Sequence, residues 1–294
     1  MLKSIALLVY VAFACAQPTF AQLANPLEQL RSNNVAGVEE AFSALQKRFE
    51  TGEASEYDLL DAYKAFYQRD DRHRAELDKW IASFPNSSSA YLARGVYYRK
   101  LGEFRRGGEY SSQVPSESLV YMDKMFAASK ADLEMALHLN PQSYLAALNL
   151  LNIALFQSDD RAADEYLALG NALLPSNFIL RARYLIGLAP KWGGSHPSME
   201  EFIARCRTQG LAQDKVDLLN AIRIDDQGTF AEEGGTLSKH GQSSKGPLSL
   251  HAPPAKDFAR TIWAARHESV GNQSTAAKIT AGDELKHQRP AHSR

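Results

Sequence analysis

The residue types that carry enzyme chemistry occur in this sequence without the spacing that catalysis requires. The 294 residues contain no His-Glu-x-x-His, Gly-x-Ser-x-Gly, phosphate-loop or Cys-x-x-Cys pattern. Most of the eight histidines lie in the last quarter of the chain, and their intervals are not those of metal ligands. We therefore expect no metal, no cofactor and no enzymatic activity.

The most distinctive local segment is APKWGGSHPSMEE, at positions 189–201. Its adjacent glycines allow positive φ, and the serine after them has a side chain suited to capping a helix. Ser195 beside His196 suggests a nucleophile and a base, but the sequence identifies no third residue to complete a triad. We expect a structural elbow in which the tryptophan covers the turn and, if its ring is buried, dominates stability. The four residues of this elbow are Trp192, Gly193, Gly194 and Ser195.

Aromatic residues form a second set of candidates. Tyr63 and Tyr67 are four residues apart and would share one face of a helix. Two interpretations stay open. The rings form a peptide-binding surface, or they pack between helices and supply contact area there.

Helical apolar runs that end at prolines indicate how these candidates are positioned. Pro141 and Pro175 each close such a run and are 34 residues apart. This interval is the period of the tetratricopeptide helix-turn-helix repeat, whose short amphipathic helices bury their apolar faces only by stacking. Pro85 and Pro141 are 56 residues apart, which is 22 more than one repeat. That excess predicts an insertion near 107–120.

The sequence resembles the tetratricopeptide repeat in the residues of one complete unit. The residues that match the first helix and turn of the repeat are Ala90, Gly95, Tyr98, Leu101, Gly102 and Phe104. The residues that match the end of its second helix are Ala136, Leu137 and Pro141. The resemblance implies a peptide-binding groove. Some members hold a peptide carboxylate with Lys, Asn and Arg, and Asn149 and Arg183 fall at two of those five positions. Leu92, Val96 and Ile179 occupy the other three, so that clamp is incomplete. Asn149 and Arg183 remain tentative binding residues, as do Tyr63 and Tyr67.

The elbow is also similar to a Pro-Arg-Trp-Gly-Gly-Ser element of an uncharacterised bacterial family, a domain of unknown function built on tetratricopeptide-like helices. Pro190 agrees with that element, as does the elbow itself, and Lys191 replaces the arginine. The resemblance spans roughly Leu30 to Asp225. It implies a fold and a bacterial source but no activity.

The N-terminus has the pattern of an export signal. Lys3 precedes an apolar run from Ile5 to Ala16, and Thr19-Phe20-Ala21 is an acceptable cleavage site. We expect a cleaved signal peptide and a periplasmic or secreted protein. A retained anchor and a lipid anchor at Cys15 are the alternatives. Cleavage would leave Cys206 as the single thiol, which we expect to be buried and inert.

These observations predict an all-α fold, a tetratricopeptide-like solenoid of antiparallel helix pairs with a poorly ordered C-terminal tail. The predicted segments are a signal peptide at 1–21, capping helices at 22–53, repeats at 54–225 with the insertion, and a low-order tail at 226–294.

The function that follows is that of a non-catalytic scaffold in the bacterial envelope that binds a protein or peptide partner. A formal charge of −1 favours neither nucleic acid nor a membrane beyond the signal segment. Two alternatives stay open. One is an envelope hydrolase with a site from Trp192 to Pro197, and the other is a structural protein.

Overall fold

The computed structural model describes residues 25–107 and 114–233, and the predicted all-α fold is confirmed over these residues. The predicted signal peptide and the tail beyond residue 233 lie outside them. The described α-helices are α1 (Pro26–Arg31), α2 (Val35–Glu50), α3 (Glu56–Tyr63), α4 (Arg74–Ser83), α5 (Ser88–Arg106), α6 (Ser116–Leu139), α7 (Tyr144–Phe156), α8 (Asp160–Leu173), α9 (Ile179–Gly187), α10 (His196–Thr208) and α11 (Gln213–Glu233).

Helix boundaries follow local chemistry that is visible in the sequence. Ser87, Asp159 and Ser195 each accept a hydrogen bond from a backbone N–H in the first turn of the helix that follows. The three phased prolines each lie two residues after the end of a helix, namely α4, α6 and α8. Proline ends a helix because it lacks an amide hydrogen and restricts the residue before it.

Helices α5 and α6 pack closely against each other through small residues on α5. A Cβ at Gly95 would lie 2.8 Å from Leu133, and one at Gly102 would lie 2.9 Å from Phe126. A higher residue number on α5 is matched by a lower residue number on α6, so the two helices run antiparallel. The hydroxyl of Ser129 donates to the carbonyl oxygen of Gly95 at 2.6 Å across this interface.

The segment predicted as an insertion is bounded by two long helices, and its last residues are helical. α5 has 19 residues and α6 has 24, and α6 already begins at Ser116. The end of the predicted insertion is therefore the first turn of α6. Residues 108–113 lie outside the described residues.

The predicted shared face of the two tyrosines is wrong, because α3 ends at Tyr63. A 3-10 turn at Lys64–Phe66 follows and changes the direction of the next side chain. Tyr63 is buried beside Phe42, with ring centroids 4.9 Å apart. Tyr67 is half-buried, and the ammonium of Lys100 lies 4.4 Å from its ring centroid.

A buried carboxylate joins distant parts of the chain. Glu56 accepts hydrogen bonds from the backbone N–H groups of Phe178 and Ile179 at 2.7 and 3.2 Å, and from the hydroxyl of Tyr144 at 2.6 Å. It thus supplies the N-terminal cap of α9, whose own flanking side chain makes no cap. Burial raises the pKa of the Glu56 carboxyl, and these hydrogen bonds partly oppose that shift.

The predicted start of the tail at residue 226 is also wrong. α11 continues through Asp225 and ends at Glu233. Val216 and Leu219 on this helix are buried in the core. Asp226, in the predicted tail, contacts His196 on α10, so the helical part of the chain continues past the predicted repeat region.

We expect Glu56→Ala to lower the free energy of unfolding by about 3 kcal/mol or more, since it leaves two backbone N–H groups and a hydroxyl buried without an acceptor. Glu56→Gln keeps one acceptor oxygen but turns an NH2 group toward at least one of the two backbone N–H groups, so it should cost about 1–3 kcal/mol. Urea unfolding followed by circular dichroism measures both. The exposed Glu40→Ala is the control and should change little. A cost below about 1 kcal/mol for Glu56→Ala would contradict the cap.

Candidate ligand-binding cavity

A cavity of about 380 Å³ lies where α5, α7 and α9 meet the elbow and the start of α8. Its volume falls within the range of small-ligand pockets, about 300–1,000 Å³. Most of its wall is apolar. The apolar lining residues are Leu155, Phe156, Ala163, Ile186, Leu188 and Trp192. Ionisable side chains also line it, namely Arg99, Glu103, Asp160, Arg183 and Tyr184.

Helix α7 contributes the end of its chain to the cavity wall. The helix is apolar all round, so other helices must cover it. Every residue from Tyr144 to Ala154 is buried. Asn149 and Asn152 satisfy their amide groups partly within the helix, by donating to the carbonyl oxygens of Leu145 and Leu148 at 2.6 and 3.0 Å. The helix ends at Phe156, whose ring lines the cavity.

The last turns of α5 carry a buried network of charges. Arg99 Nε donates to Asn149 Oδ1 at 2.7 Å, and the same guanidinium pairs with the carboxylate of Glu103. The ammonium of Lys100 donates to the other oxygen of that carboxylate at 2.8 Å. Both cations and the carboxylate are buried. The network fixes the Arg99 head group at the cavity wall.

Arg106 extends this positive region toward the mouth of the cavity. Its guanidinium carbon lies 5.8 Å from the ring centroid of Phe156 and 5.8 Å from that of Trp192. Burial lowers the pKa of Arg106. A cation held between two aromatic rings keeps part of its stabilisation when it leaves water.

Positive charge exceeds negative charge among the described buried side chains at this site. Arg99, Lys100, Arg106 and Arg183 are buried, and Glu103 is the buried carboxylate among them. Asp160 lies at the exposed rim. Buried arginines are well suited to binding carboxylates and phosphates, because the guanidinium donates two parallel hydrogen bonds. Guanidinium donors and an apolar wall therefore lie together at this cavity.

The elbow contributes one wall of the cavity. Gly193 has φ of 93°, a left-handed conformation that ends the 3-10 turn Pro190–Trp192. At Gly194 an added Cβ would overlap the backbone carbonyl of Leu188. Ser195 accepts a hydrogen bond from the N–H of Ser198 at 3.2 Å, so its predicted role as a helix cap is confirmed.

Trp192 does not have the buried position on which its predicted role in stability depended. The residue is 36% exposed. Its ring meets that of Phe156 edge-on, with centroids 6.2 Å apart. Because the residue is partly exposed and lines the cavity, Trp192 serves as a cavity wall rather than as a core anchor.

The histidine and serine of the elbow make separate contacts. His196 Nε2 lies 2.8 Å from Asp226 Oδ2 on α11, whereas Ser195 Oγ lies 2.8 Å from Ser198 Oγ. Both interactions secure α10. No group of His, Cys, Asp and Glu side chains within residues 25–107 and 114–233 is arranged to hold a metal ion. In the same ranges no helix is long and apolar enough to span a membrane.

The tentative binding residues divide between the core and the cavity. Arg183 lines the cavity. Asn149 is buried and bonds to Arg99, so it orients a cavity residue. Tyr63 lies in the core and Tyr67 packs on Lys100. Cys206 is buried as expected, and burial raises the pKa of its thiol.

Sequence reasoning missed the charged residues of α5. Arg99, Glu103 and Arg106 are spaced by four and three positions, which places them on one helical face. Such a charged face is usually solvated, so only the packing of α7 and the elbow against it reveals the site.

Comparison with protein-family models, curated proteins and solved structures gave no match to this chain.

We expect Gly194→Ala to destabilise the protein more than Gly193→Ala. At position 193 the added methyl meets open space, and the cost is the left-handed conformation, about 1–2 kcal/mol. At position 194 the backbone itself must move. Gly228→Ala is the control, because its methyl meets open space on a helix and should be neutral or slightly stabilising. Thermal melts compare the three, and equal losses at 193 and 194 would contradict the close approach.

We expect Trp192→Ala to cost less than half as much stability as Trp80→Ala. Trp80 is fully buried and donates from its indole N–H to Glu39 at 2.7 Å, so its loss should cost about 3–5 kcal/mol. Urea unfolding of the two variants measures the difference. If Trp192→Ala lost more free energy of unfolding than Trp80→Ala, the predicted dominant role of Trp192 in stability would be correct after all.

Proposed function

We propose that this chain is a non-catalytic binding protein that takes part of a protein or peptide partner into the cavity. The observation that carries the proposal is the combination of buried arginines and an apolar, aromatic wall in one cavity of about 380 Å³. Binding sites of this type use the apolar wall for affinity and a few polar groups for orientation.

A tetratricopeptide-like arrangement of the helices supports this function. Helices α5 and α6 form an antiparallel pair, and α7 packs against α8 next to it. The proline after each of α4, α6 and α8 falls at the same place relative to its helix. Stacked helix pairs of this kind present extended surfaces, and many such proteins bind other proteins through them.

The absence of catalysis is part of the proposal. Two of the four charged residues that line the cavity are arginines, which stay protonated at neutral pH and so are poor general bases. Of the two carboxylates, Glu103 is already paired with Arg99 and Lys100. The hydroxyl of Ser195 is engaged in a helix cap, and His196 contacts Asp226. These contacts favour a structural role for the elbow.

We also propose that the protein acts in the bacterial envelope, in the periplasm or beyond it. The export pattern around Lys3 and Thr19-Phe20-Ala21 supports this location. The similarity of the elbow to a bacterial family element supports the source. The near-neutral charge gives no reason to expect nucleic acid or a membrane surface as a partner.

The test is affinity capture from an envelope extract with the full chain as bait. The wild type and Arg207→Gln, which changes an exposed arginine, should retain the same protein or peptide. The Arg183→Gln bait should capture at least tenfold less of that protein or peptide than the wild type, because it lacks a charged donor in the cavity. Circular dichroism confirms that each bait is folded.

Equal capture by all three baits would exclude the cavity as the site. Failure of every bait, together with turnover of a hydrolase substrate panel, would overturn the binding function. In that outcome the envelope hydrolase becomes the better description.

A further inference from the structure

We propose that the cavity binds a segment of this chain itself, residues 258–265, which competes there with the protein or peptide partner. The segment reads FARTIWAA and lies outside the residues that the structure describes. Its binding in the cavity concerns the chain alone, whereas the competition rests on the proposed binding function. In this complex the side chain of Trp263 enters the apolar part of the site.

The composition of the chain after α11 distinguishes this segment. Phe258 and Trp263 are the only Phe, Tyr or Trp residues in positions 234–294, and Ile262 lies between them. Positions 234–257 consist mainly of Gly, Ser, Lys and Pro. Since removal of apolar surface from water drives association, this cluster of large apolar side chains gains more from a binding site than the residues around it.

The cavity offers these side chains an apolar and aromatic wall. Leu155 and Phe156 line it, and Trp192 is 36% exposed at its mouth. The rings of Phe156 and Trp192 meet edge-on with centroids 6.2 Å apart, and a third ring can pack against such a pair. A volume of about 380 Å³ takes one or two large side chains and is too small for a folded element. Trp263 together with Ile262 fits this space.

The end of α11 brings the segment within reach of the cavity. Asp226 Oδ2 on α11 lies 2.8 Å from His196 Nε2, and His196 is the second residue after Gly194, which lines the cavity. α11 ends at Glu233, about 10 Å farther along the helix axis. A chain as long as residues 234–257 can span up to about 80 Å. The segment can therefore reach the site without any change in the described helices.

The covalent connection makes a weak contact sufficient. A binding segment that is linked to its own site acts at an effective concentration of up to about millimolar. Modest affinity then suffices to fill the cavity in the absence of a partner. A partner must make a larger apolar contact or additional hydrogen bonds to displace the segment. The segment thus sets a threshold for what the cavity binds.

The charges beside Trp263 are compatible with the rim of the cavity. Asp160 lines the cavity at its exposed rim. Arg260 and Arg266 lie three residues before and three residues after Trp263. An arginine on either side can therefore pair with Asp160 while the indole is inside. Exposed ion pairs add little affinity, so this pairing orients the segment and the apolar contact holds it.

Photo-crosslinking in the full chain tests where the segment lies. p-Benzoylphenylalanine is placed at position 263 in one protein and at position 248, which is Leu248 in the same part of the chain, in the control. After irradiation of dilute protein, mass spectrometry of the digested monomer maps the linked residues. Position 263 should link to residues 155–156 and 186–194 at least fivefold more than position 248 does. Trp192→Ala should reduce the links to residues 155–156 at least threefold, and the partial exposure of Trp192 means that this variant stays folded.

Capture from an envelope extract measures the competition. Trp263→Ser in the full chain should capture at least threefold more of the partner than the wild type, because the cavity is open more of the time. Leu248→Ser is the matched control and should capture as the wild type does. A synthetic peptide of residues 256–267, added at about millimolar concentration, should reverse the gain of Trp263→Ser.

Equal links from positions 263 and 248 would overturn the placement of the segment. So would links found only between two chains, at a yield that rises with protein concentration, since the occupant is then a second copy. Equal capture by Trp263→Ser and the wild type would overturn the competition. Cavity links without any captured partner would leave the segment in the cavity and overturn the proposed binding function. Capture that depends on Arg183 without cavity links would have the opposite meaning.

Discussion

The burial of α7 on all sides is the constraint on which the rest of the structure depends. A helix that is apolar all round is stable only when other helices cover every face, and α5, α6, α8 and α9 do so here. Its polar groups must be satisfied inside the protein, so Asn149 bonds to its own helix and to Arg99. Glu56 adds a second requirement, because it bonds to Tyr144 on α7 and caps α9 at once. The helices around the cavity are therefore fixed relative to one another.

This rigidity explains how several charges can be buried beside an apolar wall. An isolated charge in the interior is costly, but Glu103 offsets Arg99 and Lys100, and aromatic rings face Arg106. Replacing such a network with apolar residues is often neutral or stabilising in other proteins. Stability alone is therefore a weak reason to bury these charges. Under the proposed binding function, the arginines at the cavity also contact the ligand.

Local features of the sequence predicted the helices, and contacts between distant residues account for what it did not predict. Proline positions and capping side chains act within a few residues, so the all-α fold and the cap at Ser195 could be read directly. Tyr63 and Tyr67 do not share a helical face because a 3-10 turn lies between them, and Phe66 in that turn is buried in the core. Arg183 was found through a family pattern, whereas Arg99 became a site residue only because α7 packs against α5. The repeat architecture and the export signal stay predictions.

The elbow combines a constrained backbone and a cavity wall in one segment. Because the backbone of Gly194 approaches the carbonyl of Leu188, the chain turns back sharply after α9. The same turn holds Trp192 at the mouth of the cavity, where its ring contacts Phe156 and remains partly in water. A ring with that exposure contributes less to folding than a core residue, and it can gain apolar contact when a ligand binds. The glycines thus secure the backbone, and they position a tryptophan that lines the cavity.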